Sequence, residues 1–236
     1  MHRFLSAFPL LDCFSLKDGQ QFHQIMHVFR AKKGDRVIFF ESEGNDTIYE
    51  ISQVTKKEIV FSRKDVIMSL NQKKSKNITL FQSYPNKFST LEIIVQKWVE
   101  LGVDKLVFFP SEHSQIREIS LNKQWRISVI AQEALEQSGG NIPISLHYET
   151  KNIEELFWWY SSLEHIVGYP GTTRELHLNQ VSSLWLWIGP EGGWSSQEAD
   201  FFIRNKCSLW SFNSNILRLE TASIVGAGIL TYLSQT

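Results

Sequence analysis

Cysteine, methionine and proline are scarce in these 236 residues, with two, three and six copies respectively. Cys13 and Cys207 are far apart and fit no metal-ligand spacing, so neither a disulfide framework nor a metal site is expected, and a reduced, cytoplasmic setting is the default. No apolar run approaches the length that spans a bilayer, and the N-terminus carries no signal-peptide pattern, so no membrane role is expected. A large charge of either sign is also missing. The formal net charge of −1 argues against a generally basic nucleic-acid binder. What is present is an ordinary soluble composition, long enough for one or two domains with a substantial core.

The charge is unevenly spread. Residues 1–76 hold 13 Lys and Arg against 9 Asp and Glu, whereas the remainder holds 11 against 16. Any RNA contact is therefore biased toward the N-terminal part. That part reads as mostly β, with strands expected at 36–40, 47–54 and 58–66 between Lys33-Gly34-Asp35 and Glu43-Gly44-Asn45-Asp46 turns. One helix, 20–30, places Phe22, Ile25, Met26 and Phe29 at helical spacing. His23 and His27 stand four apart, a spacing that suits a metal pair, but no third ligand accompanies them and a metal-free reading is preferred.

Residues 69–77 are polar, basic and aperiodic, the expected linker between a domain at 1–68 and another at 78–236. In the second, apolar strands at 78–84, 105–109, 165–169, 184–188 and 209–212 alternate with helices, the pattern of a mostly parallel α/β sheet. Ser89 with Glu92 is expected to cap a helix that buries Leu91, Ile94, Val95, Trp98 and Val99 and stops at Gly102. Further helices are expected at 122–138, from Asn152 with Glu155 as cap, from Ser195 with Glu198 as cap, and at 221–233.

The chain converges on Trp187-Ile188-Gly189-Pro190-Glu191-Gly192-Gly193-Trp194-Ser195. A strand, a glycine loop and a helix N-terminus in series is how α/β proteins build a ligand crevice. It is neither a P-loop nor Gly-x-Gly-x-x-Gly, and a tight βα turn without a ligand competes with it. A second stretch, Ile216-Leu217-Arg218-Leu219-Glu220-Thr221-Ala222, enters the last helix. Together with Gln96-Lys97, Glu100-Leu101-Gly102-Val103, Ser111-Glu112, Glu133-Ala134 and Glu136-Gln137-Ser138, the two stretches resemble the RsmE family, bacterial 16S ribosomal RNA (uracil-N3)-methyltransferases of the SPOUT class. Met1-His2-Arg3-Phe4 and His27-Val28-Phe29-Arg30 are similar to that family's N-terminus.

The resemblance implies an α/β fold consisting of a SPOUT-type knotted methyltransferase domain preceded by a small PUA-like β-barrel. It implies S-adenosyl-L-methionine as cofactor, held by three loops: Gly168, Tyr169 and Pro170; Ile188, Gly189, Pro190, Glu191, Gly192 and Gly193; and Phe212, Asn213, Ile216 and Leu217. The implied partner is 16S ribosomal RNA of the small subunit. The family also implies a homodimer, and the apolar stretches around Trp158-Trp159 and 221–233 would supply its interface. Arg218 is the candidate to stabilise a uridine anion or a flanking phosphate, with an ion pair to Glu220 or Glu191 as its competing role. Glu220 is the second catalytic candidate, or a cap of the last helix. Glu191 near a helix start either touches the cofactor or orders the loop. Arg3, Arg30, Lys32 and Lys33 are the candidate phosphate contacts.

The chain departs from the family where arginine is usual, carrying His113, Gly140 and Asn215, and it has Leu219 in place of Thr and Asn213 in place of Gly. Asn tolerates φ > 0, so the last change is mild. The lost arginines remove bidentate phosphate ligands. Two alternatives therefore stand beside the N3-methyltransferase: a non-catalytic RNA-binding or ribosome-assembly factor on the same fold, and a SPOUT methyltransferase with another RNA target.

Overall fold

A computed structural model describes residues 1–68, 77–159, 164–172, 183–212 and 215–234. The chain divides into two compact units, Met1–Gln72 with Leu135–Ile142, and Lys73–Ala134 with Pro143–Thr236. The expected linker lies outside the described residues except for residue 77.

The first unit is a five-stranded sheet in the order β1-β3-β4-β5-β2. Its strands are β1 (His2–Leu5), β2 (Cys13–Leu16), β3 (Arg36–Phe40), β4 (Asp46–Val54) and β5 (Ile59–Ile67). β1 runs parallel to β3, and the other pairs are antiparallel. One face buries Phe4, Val37, Phe39, Tyr49, Ile51, Ile59 and Phe61. Over it lies α1 (Gly19–His23), which continues as a π-helical turn, Gln24–Val28, rather than the regular helix expected. Ile25 is buried from that turn, and Phe22, Met26 and Phe29 pack beside it. The same unit gathers in the segment Leu135–Ile142: Leu5 N–H donates to Glu136 Oε1 at 3.0 Å, and Glu43 N–H donates to Asn141 O at 2.9 Å.

The second unit is built on a six-stranded, wholly parallel sheet, ordered β11-β9-β10-β6-β7-β8. The strands are β6 (Asn77–Ser83), β7 (Lys105–Phe109), β8 (Ser145–Tyr148), β9 (Glu164–Gly168), β10 (Ser183–Ile188) and β11 (Ser208–Trp210). The helices are α2 (Phe88–Glu100), α3 (Leu121–Ser138), α4 (Ile153–Trp159), α5 (Ser196–Arg204) and α6 (Leu219–Leu233). The central strands are continuous apolar runs because helices cover both faces of such a sheet. One face stacks Phe81 on Trp187 at 4.0 Å and sets Phe109 edge-on to the same indole.

Capping follows the sequence at two helices and departs from it at a third. Ser195 and Glu198 form a reciprocal capping box on α5, and Asn152 with Glu155 does the same on α4. At α2 the N-cap is Lys87, not Ser89, and no side chain caps it. Glu92 is turned instead to an ion pair with Arg126, which removes the carboxylate the expected box needed. The far end of α2 closes as expected. Gly102, at φ +74°, lets its own N–H reach Val99 O and the N–H of Val103 reach Trp98 O, both at 3.0 Å.

Candidate active site

In the second unit β6 is where the strand order reverses, with β7 and β8 on one side and β10, β9 and β11 on the other. Open parallel sheets leave a crevice at the C-terminal ends of the strands flanking such a point. A cavity of about 800 Å³ opens there. Gly168, Tyr169 and Pro170 line it after β9. Ile188, Gly189, Pro190, Glu191, Gly193 and Trp194 line it after β10. Trp210, Ser211, Phe212, Asn215, Ile216 and Leu217 follow from β11, and Arg218, Leu219, Glu220 and Ala222 from the start of α6. A fourth wall, Asn86, Lys87 and Thr90, comes from the turn between β6 and α2. The sequence reading missed this wall, although Pro85-Asn86 after a buried strand is turn chemistry at the right end of the sheet.

Hydrogen bonds join neighbouring loops. Asn86 N–H donates to Glu191 Oε1 at 3.0 Å, Trp194 Nε1–H donates to Gly168 O at 3.0 Å, and Tyr169 N–H donates to Trp210 O at 3.0 Å. Gly168 leaves room for the Phe212 ring, because a Cβ there would fall 2.9 Å from it and displace it. The lining is mostly apolar and aromatic, and among the described residues its charged members are Lys87, Glu191, Arg218 and Glu220. The size and this sparse polarity suit a small molecule that carries a few polar or charged groups.

All the residues expected on the three loops line this cavity except two. Asn213 lies outside the described residues. Gly192 does not line the cavity: a Cβ on it would sit 3.2 Å from His113 Cβ, so the missing side chain accommodates His113 rather than a ligand. Arg218 is the exposed N-cap of α6, and among the described residues its guanidinium forms no hydrogen bond or ion pair. The competing ion pair to Glu220 or Glu191 is therefore not formed. Glu220 is half-buried in the first turn of α6, while Glu191 is engaged by Asn86.

The four basic candidates of the first unit separate. Arg3 is committed inside the protein, a correction to its expected phosphate role. Its guanidinium pairs with Asp46 at 2.8 Å, donates to Gly140 O at 2.6 Å and lies 3.5 Å over the Phe40 ring, with 9% of the side chain exposed. Arg30, Lys32 and Lys33 are exposed, and Arg30 holds a positive φ of 51°. The rings of His23 and His27 lie 4.8 Å apart, and among the described residues no group of three or more His, Cys, Asp or Glu is placed to hold a metal ion.

Beneath the site, His165 on β9 accepts a hydrogen bond from Trp187 Nε1–H at its Nδ1, 3.0 Å away, and stacks 4.1 Å from Phe157. Burial pushes its pKa down to about 4, so it is a neutral core histidine. Burial also pushes the Cys207 thiol up to about 12, far from a reactive thiolate.

The RNA methyltransferase domain family matches residues 72–231, most of the chain and all of the cavity. The chain belongs to this family. This RNA methyltransferase domain and its N-terminal unit together are similar to ribosomal RNA small subunit methyltransferase E 2 of Borreliella burgdorferi, 26% identical over 89% of this chain and 87% of that one. A Legionella pneumophila protein solved with bound cofactor SAM matches with a TM-score of 0.86 at 22% identity, covering 98% of this chain and 97% of that one. Ribosomal RNA small subunit methyltransferase E of Neisseria gonorrhoeae, solved bound to S-adenosyl methionine, matches with a TM-score of 0.83 at 21% identity over 99% and 98%. The fold of the RNA methyltransferase domain is thus the α/β methyltransferase fold of those structures. Among its described residues no helix is long and apolar enough to cross a membrane.

Proposed function

We propose that this protein methylates N3 of a uridine in 16S ribosomal RNA of the small subunit, with S-adenosyl-L-methionine as donor. The observation that carries the reading is Arg218, exposed and without a side-chain partner among the described residues, in the lining of a cavity formed by loops at the ends of β6, β9, β10 and β11. When bound, the cofactor supplies a methyl group activated by its sulfonium. The backbone of Gly168–Pro170, Ile188–Pro190 and the loop after β11 would hold it, since those walls offer main-chain polar groups between apolar side chains. Its relative in Borreliella burgdorferi, named ribosomal RNA small subunit methyltransferase E 2, supports the choice of small-subunit rRNA as substrate.

The chemistry asked of the protein is limited. Uracil N3 is a nucleophile only after losing its proton. Glu220 is the lining carboxylate with no partner among the described residues, and it accepts that proton. Arg218 faces the charge that spreads onto the uracil oxygens, where a fixed cation lowers the barrier. Exclusion of water by the apolar walls strengthens both effects.

In the same reading the first unit is a PUA-like RNA-binding domain, with Arg30, Lys32 and Lys33 as phosphate contacts. The second unit threads its final strands and helix into the SPOUT knot. Trp158 and Trp159 at 60% and 69% exposure, with Tyr232 at 68%, support a homodimer built on α4 and α6. The protein works in the cytoplasm, where small subunits are made.

Incubating the purified protein with small-subunit rRNA and isotopically labelled donor, followed by nucleoside mass spectrometry, tests this. Labelled N3-methyluridine is expected. Label in a ribose methyl group would move the target, and donor binding without transfer would favour the assembly-factor role.

A further inference from the structure

The turn after β7 does not line the cavity, yet it grips the loop that does. Its base is anchored in the core: the hydroxyls of Ser83, Ser111 and Ser114 lie within 2.7–3.2 Å of one another, all buried, and Ser114 Oγ also accepts the N–H of Ser111 at 3.0 Å. From this platform Glu112 reaches the first turn of α5 and His113 reaches the glycine loop. Glu112 N–H donates to Glu198 Oε1 at 2.8 Å, while the other oxygen of the same carboxylate accepts Ser195 N–H at 2.9 Å. His113 Nδ1 lies 3.0 Å from Gly193 O. A carbonyl oxygen only accepts, so Nδ1 carries the proton and donates.

Gly193 has φ +73°, and its N–H closes a turn onto Pro190 O at 2.9 Å. The carbonyl gripped by His113 thus belongs to the residue that fixes the direction of the 190–193 turn. Gly192 allows the close approach, since a Cβ there would meet His113 Cβ at 3.2 Å. Sequence and structure together explain the glycine pair: one glycine for conformation, the other to admit a side chain from outside the cavity.

We propose that His113 is a positioning residue: through the Gly193 carbonyl it holds the Ile188–Pro190 backbone in the orientation that binds the methyl donor. The inference rests on the methyltransferase reading above and adds to it a residue that touches neither donor nor acceptor.

The test compares wild type with His113→Ala, His113→Asn and Gly192→Ala, using calorimetry with S-adenosyl-L-methionine, donor KM, kcat and melting temperature. Losing one neutral hydrogen bond corresponds to about a fivefold change in an equilibrium constant. His113→Ala should therefore raise donor Kd and KM about fivefold, with kcat at saturating donor within about twofold of wild type and little change in melting, because the ring is exposed. His113→Asn should recover most of the loss, since its amide N–H can donate to the same carbonyl. Gly192→Ala should reproduce the KM effect although residue 192 is not in the cavity wall. An unchanged Kd in His113→Ala, a fall in kcat at constant KM, or no recovery by Asn would each overturn the proposal. Wild-type protein that binds no donor would instead sink the functional reading, and this inference with it.

Discussion

The carboxylate of Glu191 accepts the backbone N–H of Asn86 across 3.0 Å, joining the glycine loop to the turn after β6. A loop residue that the sequence marks as a cofactor contact thus serves to hold a wall of the cavity. Glu191→Gln keeps an acceptor oxygen and should keep donor affinity, whereas Glu191→Ala should weaken it about fivefold. Equal losses in both variants, read by calorimetry, would mean that the charge itself meets the ligand.

Arg218→Ala separates charge stabilisation from architecture. With no partner among the described residues, its removal should leave melting temperature and donor affinity nearly unchanged. Single-turnover methylation should fall by a factor on the order of 10²–10³, about 2.7–4 kcal/mol, the usual cost of deleting a preorganised donor. Arg218→Lys reports whether a point charge suffices or a forked contact is needed.

Lys87 sits at the N-cap of α2, where the helix dipole disfavours a cation, and lines the cavity without a partner among the described residues. A cation kept in that position fits a phosphate of the incoming RNA. Lys87→Ala should reduce the slope of log RNA affinity against log salt by about 0.7–0.9 while sparing donor binding. An unchanged slope would remove Lys87 from the RNA-facing surface.

Arg3→Ala should behave as a stability mutation. It leaves Asp46 without its partner in a nearly closed site, a loss of about 3–5 kcal/mol at most, reduced to the extent that water reaches the 21%-exposed Asp46. Urea unfolding should show the loss, and the RNA salt slope of the protein that remains folded should match wild type.

His165 predicts the acid sensitivity of the second unit. Its folded pKa, about 4, lies below its ordinary 6.5, so between those values the unfolded chain binds a proton that the folded chain refuses. Stability is therefore fully present above pH 6.5 and falls as pH drops toward 4, by about 3 kcal/mol over the window. Urea midpoints at pH 7, 6 and 5 should show this decline, and His165→Gln should flatten it.

Much of the second unit was legible from periodicity. β7 matches its expected bounds, and the Ser195–Glu198 box starts α5 as read, because apolar runs and local caps are short-range signals. The misses involve partners distant in sequence. Glu92 was drawn to Arg126, 34 residues away, and Arg3 to Asp46 and Gly140. Nothing near residue 135 announces that the end of α3 joins the first unit, since Leu5, Arg3 and Glu43 supply the bonds. β8 (Ser145–Tyr148) went unread because its polar-apolar alternation runs over only four residues, the shortest stretch that signals a strand. At the site the three loops were visible as Gly and Pro punctuation, whereas the fourth wall and the role of His113 depend on the sheet order, which seats β6 between β10 and β7.

Trp194 and Trp210 both face the cavity, and the indole N–H of Trp194 is spent on Gly168 O. Any molecule that enters changes the polarity around two indoles and strains or relaxes that bond. Trp98 and Trp187, sealed in the core, contribute emission that a ligand does not touch. The protein therefore carries its own optical gauge of occupancy: intrinsic fluorescence follows filling without a label, and a Trp194→Phe variant tells which part of the signal comes from the loop.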